Sequence, residues 1–111
     1  MQKNREEFFY FILNHSQECI IRYDSSGCIE YCNDRLFELT GYSAGELTGV
    51  YIGELIQNVF AIVGNHIELA DEYKDMEVIE TVLYRKNKTC FPVEIKVVSC
   101  VFDGVEVMIC T

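Results

Sequence analysis

One short motif in this chain could carry nucleophilic chemistry. Residues Gly41 to Gly45 read G-Y-S-A-G, which matches the G-x-S-x-G pattern around the serine nucleophile of many hydrolases. That pattern needs a strand before the serine and a helix after it, whereas a helical pattern precedes Gly41 here. Ser43 and Glu46 also have the spacing of a capping box. We therefore expect Ser43 to begin a short helix and expect no enzymatic activity from the domain.

His66 and an acidic run are candidates for cofactor or metal binding. His66 has apolar neighbours, and one imidazole in an apolar pocket is what a haem iron requires. A surface histidine is the alternative that the flanking residues favour. The acidic residues from Glu68 to Glu80 are interrupted by Lys74 and lack the spacing of a calcium loop. We expect a solvated helix end and loop there, and no metal site.

The six cysteines suggest three kinds of chemistry: metal binding, disulfides and redox sensing. No C-x-x-C pair is present, so the usual spacing of a zinc site is missing. Cys28 and Cys32 share a face of one predicted strand, but residues four apart on a strand are too distant for a disulfide. A two-residue turn at Asp103-Gly104 would place Cys110 opposite Val97, and no two cysteines meet across a predicted hairpin. We expect reduced thiols packed as small apolar side chains, with redox sensing as the alternative.

Length and charge exclude several functional classes. The chain has 111 residues, which fits one domain, and half of them are hydrophobic. Its 18 acidic and 9 basic residues give a net charge of -9, which would repel nucleic acids and anionic membranes. The polar N-terminus does not look like a signal peptide, and no apolar run is long enough to insert into a membrane. We expect a cytoplasmic domain.

The residue pattern predicts an α+β domain over residues 15–111, preceded by a flanking helix over residues 1–14. In that helix, Phe8 to Leu13 are apolar almost all round, so the helix must be buried on more than one side. It packs either on its own sheet or against the same helix of a second copy. Strands at Cys19 to Tyr23 and Cys28 to Cys32 follow, then short helices from Asn33 and Ser43. A longer helix is expected from Asn58, with an apolar face of Val59, Phe60, Val63, Ile67 and Ala70, and three strands complete the chain.

Two segments resemble the PAS domain family, and together the likeness extends from about Leu13 to Thr111. The resembling residues are Cys28-Ile29-Glu30-Tyr31-Cys32-Asn33, Leu36-Phe37-Glu38-Leu39-Thr40-Gly41-Tyr42-Ser43, Glu46-Leu47 with Gly49, and Arg85-Lys86-Asn87-Lys88-Thr89 with Phe91-Pro92-Val93-Glu94-Ile95. The resemblance implies a five-stranded antiparallel sheet with short helices over one face, and often a small cavity between them.

The resemblance also implies a function. PAS domains sense or relay signals within larger proteins such as histidine kinases and diguanylate cyclases, so we expect a covalently linked output domain and self-association as a homodimer. The alternatives are a haem or flavin sensor of gas or redox state and a ligand-free dimerisation module. A flavin adduct needs a cysteine just after Gly49, and Val50 to Glu54 contain none. Leu83 and Val93 stand where polar residues would hold a flavin ring.

Strand parity combined with the family fold predicts the residues that line the cavity. They are Ile21, Tyr23, Leu36, Ile52, Ile56, Phe60, Leu83, Val93, Ile95, Met108 and Cys110. This wall is almost wholly apolar, with Tyr23 as its main polar group. Such a lining either holds an apolar ligand or fills itself with side chains, and the second outcome is slightly favoured. No bound cofactor is the simplest expectation.

Overall fold

A computed structural model describes residues 17–100 and 105–110 of the chain, with side chains from residue 17 to residue 97. The predicted flanking helix over residues 1–14 and the turn at Asp103-Gly104 lie outside the described residues. Within the described part, no helix is long and apolar enough to cross a membrane.

The described residues form an α+β fold, as predicted. Its main sheet has five antiparallel strands in the order β2-β1-β7-β6-β5. A separate hairpin pairs β3 with β4. The strands are β1 Cys19–Tyr23, β2 Ile29–Cys32, β3 Phe60–Val63, β4 His66–Leu69, β5 Ile79–Tyr84, β6 Cys90–Cys100 and β7 Val105–Cys110. The helices are α1 Asp34–Thr40 and α2 Ala44–Leu47, with 3-10 helices at Ile52–Glu54 and Asp71–Tyr73.

Asn33 lies between β2 and α1, and its side chain is fully buried. Its Oδ1 accepts hydrogen bonds from the backbone N–H of Leu36 at 3.3 Å and of Ile20 at 2.9 Å. Its Nδ2 donates to the carbonyl of Glu18 at 2.7 Å. The predicted N-cap is therefore confirmed, and the same side chain also attaches the helix to the first strand. Gly41 ends α1 in the left-handed conformation, as predicted.

The capping box at the start of α2 is also confirmed. The Glu46 carboxylate accepts a hydrogen bond from the backbone N–H of Ser43 at 2.9 Å. Lys86, in the β5–β6 connection, forms an ion pair with the same carboxylate. The Lys86 hydrogen bond, followed by those from Ser43, lowers the pKa of Glu46. Ser43 thus has the capping role that its spacing indicated.

Alternation along the strands builds the core on one face of the sheet. On β6, Val93 and Ile95 are buried while Glu94 and Lys96 are exposed. Ile95 pairs with Ile79 on β5, so apolar side chains of neighbouring strands meet on the inner face. The two helices and the first 3-10 helix contribute buried residues to the same core.

The predicted helix from Asn58 is wrong, because this segment is the β3–β4 hairpin. Val63 pairs with His66, so Gly64 and Asn65 form a two-residue turn, and Gly64 has φ +64°. A glycine in the first central position suits a tight hairpin turn whose twist matches that of the strands. Of the apolar residues that resembled a helix face, Phe60 and Val63 lie on β3 and Ile67 lies on β4.

The predicted register between β6 and β7 is shifted by two residues. Cys110 pairs with Ile95 rather than Val97, and Cys100 pairs with Val105. A shift of two keeps every residue on the same face of the sheet, so the inner and outer sets survive the error. Cys110 also pairs with Cys19 on β1, across strands that are distant in sequence.

Candidate ligand cleft

A cleft of about 330 Å³ opens between the inner face of the main sheet and the β3–β4 hairpin. Two sheet strands, both hairpin strands and the residue after the second 3-10 helix contribute to it. Its lining residues are Tyr23, Phe60, Ile67, Glu68, Leu69, Lys74 and Val97. The volume lies near the lower end of the range of about 300–1,000 Å³ that small-molecule sites occupy.

Two aromatic rings form one wall of the cleft. Tyr23, on β1, is only 2% exposed, and Phe60 begins β3. Their ring centroids are 5.6 Å apart with an interplanar angle of 72°, an edge-to-face arrangement. This geometry brings the positive edge of one ring to the negative face of the other and stabilises the wall. The hairpin is thereby attached to the sheet through an aromatic contact.

The mouth of the cleft carries a chain of charged groups. The Lys74 ammonium lies 3.0 Å from a carboxylate oxygen of Glu68 and 3.0 Å from one of Asp71. The second Glu68 oxygen lies 3.1 Å from Nε2 of His66. The hydrogen bonds from Lys74 and His66 lower the pKa of Glu68, and those to Glu68 and Asp71 raise the pKa of Lys74. Both groups are therefore charged at neutral pH.

Most of the predicted lining residues lie in the solid core rather than around the cleft. Those buried in one apolar cluster are Ile21, Tyr23, Leu36, Ile52, Ile56, Leu83, Val93 and Ile95. Tyr23 and Phe60 are the predicted residues that also line the cleft. Close packing of the aliphatic side chains fills the space that a larger cavity would need. A ligand-binding role for the predicted set stays a prediction.

Three of the predicted residues, Phe60, Met108 and Cys110, lie on β3 and β7. Phe60 was expected on a helix, but it is half-buried on strand β3. The backbone of β7 places Met108 between Ile21 and Val97, and Cys110 between its partners on β1 and β6. Their side chains lie outside the described part of the structure. Strand order thus brings Met108 beside two residues of the inner face.

The other five lining residues of the cleft were not among those predicted from the sequence. Ile67 and Leu69 lie in the segment that was predicted to be a helix. Val97 is the next residue on the inner face of β6 after Ile95, the last predicted lining residue of that strand. The signal that could have found the hairpin is the Gly64-Asn65 dipeptide between the apolar run Phe60 to Val63 and the alternating run His66 to Leu69. Nothing local in the sequence indicates that Lys74 would turn back to meet Glu68.

His66 lies on strand β4 and not in the helix where a haem ligand was expected. Its side chain is 46% exposed, and it contacts Glu68. Among the described residues, those that line the cleft do not include His66. In the same part of the chain, no three histidine, cysteine or acidic residues lie close enough together to hold a metal ion.

The buried cysteines behave as core residues. Cys19 and Cys32 are 3% and 6% exposed, and both are free thiols. Burial raises the pKa of Cys19 to about 11 and that of Cys32 to about 12, so neither forms a reactive thiolate at neutral pH. Cys28 is half-buried and Cys90 is exposed, and both are also free.

No curated protein sequence matches the chain. Among solved structures, the PAS domain of an HTR-like protein from Haloarcula marismortui has a TM-score of 0.75 and 16% identity, over 98% of this chain and 97% of that one. A PAS domain from a two-component sensor histidine kinase has a TM-score of 0.74 and 14% identity, over 99% and 96%. A domain of a sensory box sensor histidine kinase/response regulator from Geobacter sulfurreducens has 0.73 and 16%, over 99% and 96%.

At these identities the solved structures establish the fold. The family assignment comes from the sequence itself, because the PAS domain family model matches residues 17–111. That match contains the segment from Cys28 to Gly49, on which the resemblance first depended. The chain belongs to the PAS domain family.

Proposed function

We propose that this chain is a signal-sensing or signal-relay module of a larger signalling protein. Two of the similar structures come from sensor histidine kinases, and the family match extends over most of the chain. A covalently linked output domain, of the histidine kinase or diguanylate cyclase type, is part of the proposal. A cytoplasmic location is also proposed, and the four cysteines that are free in the described part of the chain are compatible with a reducing compartment.

The observation that carries the proposal is the position of the cleft relative to β7. Strand β7 lies between β1 and β6, which supply the cleft residues Tyr23 and Val97. The first residue of β1, Cys19, pairs with the last residue of β7, Cys110. The flanking segments on both sides of the domain therefore leave from the same end of two neighbouring strands. A ligand that pushes Tyr23 on β1 away from Val97 on β6 would therefore act on β7, the strand between them.

The domain is proposed to act without catalysis of its own. Ser43, which lies in the hydrolase-like motif, is the N-cap of α2. The ionised groups at the cleft mouth, Glu68 and Lys74, neutralise each other, which suits recognition better than proton transfer.

The test fills the cleft by mutation and measures the output. Residues 1–111 replace the PAS domain of a histidine kinase, and autophosphorylation is measured with Val97→Trp and with Val82→Trp. Val97 points into the cleft, whereas Val82 lies on the opposite face of β5. We expect Val97→Trp to change the rate by about fivefold or more, the lower end of typical coupling between two sites. We expect Val82→Trp to leave the rate unchanged.

Equal effects of the two variants, or no effect of Val97→Trp in a chimera that folds, would refute relay through the cleft. Folding is checked by circular dichroism of each chimera before the kinase assay. If the parent chimera responds to a signal but Val97→Trp does not change its autophosphorylation rate, the domain senses through a surface other than the cleft.

Self-association is proposed as the second part of the function. The apolar segment Phe8 to Leu13 supports a helix that packs against a second copy. Sedimentation velocity of the full chain and of the chain without residues 1–14 tests this proposal. A dimer that persists unchanged after the deletion contradicts a dimer contact through this segment.

The prosthetic-group alternatives have less support. The exposed position of His66 does not favour haem, and the cleft is small for a flavin. We expect the purified protein to be colourless. A Soret band or a flavin absorption spectrum would instead indicate a haem or flavin sensor.

A further inference from the structure

We propose that the cleft selects an organic monocation, an amine or ammonium group on a compact apolar body. The inference rests on the proposed sensing function and names the class of ligand that the cleft would report. It follows from two independent features of the lining, an aromatic wall and a carboxylate at the mouth.

The wall suits an apolar body that carries a positive charge. Half-buried Phe60 supplies aromatic surface to the cleft beside the almost fully buried Tyr23 ring, and Leu69 and Val97 add aliphatic surface. Aromatic faces attract a cation within about 6 Å of the ring centroid, and ammonium ligands are commonly held by such rings. The cleft volume of about 330 Å³ restricts the body to a compact one, such as a single ring with a short chain.

The mouth has the charge that selects a cation over an anion. Lys74 supplies the positive charge of the lining, but its ammonium already lies 3.0 Å from both Glu68 and Asp71. These three groups together carry one net negative charge, and the whole chain carries -9. His66, which contacts the other Glu68 oxygen, adds a positive charge only when it is protonated.

An anion would have to displace one carboxylate from Lys74 and then lie beside the other. A cation meets a different situation, because it can share the Glu68 carboxylate or replace the half-exposed Lys74 ammonium there. The difference between the two ligands is therefore an attraction in one case and a repulsion in the other. An uncharged ligand of the same shape should fall between them.

Isothermal titration calorimetry with three probes of similar shape tests the inference on the full chain. The probes are 2-phenylethylamine, 2-phenylethanol and phenylacetate, at low salt and neutral pH. We expect the amine to bind about tenfold more tightly than the acid, the size expected when one half-exposed carboxylate attracts one ligand and repels the other. The alcohol should be intermediate, and added salt should reduce the difference.

Two matched substitutions locate the selectivity. Glu68→Gln keeps the shape and removes the charge, so the preference for the amine should fall to about threefold or less. Glu72→Gln makes the same change in net charge on an exposed neighbour outside the lining, and the preference should persist. Lys74→Gln removes the competing ammonium, so it should tighten the amine without tightening the acid.

The inference is overturned if the acid binds as tightly as the amine, if none of the three probes binds, or if Glu72→Gln reduces the preference as much as Glu68→Gln. If Glu68→Gln does not fold, Lys74→Gln tests the inference instead. Weaker binding of the amine to Lys74→Gln than to the parent chain also overturns the inference. Failure here leaves the relay function intact where Val97→Trp still alters kinase output. Selective binding with no response to Val97→Trp would instead refute the relay function alone.

Discussion

Replacement of Asn33 by alanine is expected to destabilise the domain more than any other single change at a polar residue of the first helix. The buried side chain accepts hydrogen bonds from Ile20 at 2.9 Å and Leu36 at 3.3 Å, and donates to Glu18 at 2.7 Å. Loss of the N-cap costs about 1 kcal/mol. The Ile20 N–H is left buried without this acceptor, which costs about 2 kcal/mol more. The free energy of unfolding should therefore fall by about 3 kcal/mol.

Urea unfolding followed by circular dichroism measures this change. With an m-value of about 2 kcal/mol/M, the midpoint should fall by about 1.5 M while the slope stays the same. Asn33→Asp keeps the acceptor oxygen but buries a carboxylate whose second oxygen faces the Glu18 carbonyl, so it should also destabilise the domain. Asn87→Ala is the control, because Asn87 is exposed and bonds only locally to Thr89.

The reasoning is refuted if Asn33→Ala lowers stability by less than about 1 kcal/mol, the range of an ordinary surface change, or no more than Asn87→Ala does. Such a result would mean that water replaces the lost oxygen and that the strand does not depend on this side chain.

The remaining predictions concern thiols and one glycine. At pH 8, N-ethylmaleimide should label the exposed Cys90 well before the buried Cys19 and Cys32, and mass spectrometry that finds equal labelling would contradict the burial of the two core thiols. Burial raises the pKa of both core thiols, so the unfolded state loses these protons at a lower pH than the folded state does. The free energy of unfolding should therefore fall as pH rises from about 9 towards 11, and the fall should be shallower in Cys32→Ala. Identical urea-unfolding profiles of the two proteins across this pH range would contradict the prediction. Gly27→Ala should lower the free energy of unfolding by about 1–2 kcal/mol, because Gly27 has φ +88°. Gly45→Ala should be neutral or slightly stabilising, because Gly45 lies in α2 with open space around it. Equal urea midpoints for the two variants would refute backbone strain at Gly27.

Local signals in the sequence predicted the first half of the fold well. The caps at Asn33, Gly41 and Ser43 depend on hydrogen bonds to residues within four positions, so the residue types and their spacing are sufficient. The strands of the sheet follow from alternation, and a register error of two residues did not alter their inner faces.

The hairpin at Phe60 to Leu69 shows where local signals fail. Short apolar runs are compatible with both helical and extended periods, and the deciding residues were the two of the turn at Gly64. The cleft depends on this hairpin, because Ile67 and Leu69 reach it only from a strand. A helix over the same residues would have presented a different set.

The sequence by itself determined the family, the caps, the strand faces and the apolar character of the interior, because each depends on residue type and short-range spacing. Tertiary structure alone decided which apolar residues fill the core and which border the cleft. Tyr23 and Ile21 are two residues apart on one strand, yet one of them borders the cleft and the other is enclosed by core side chains. The physical reason is that a cavity is the space that packing leaves between distant elements, and no local pattern encodes that remainder.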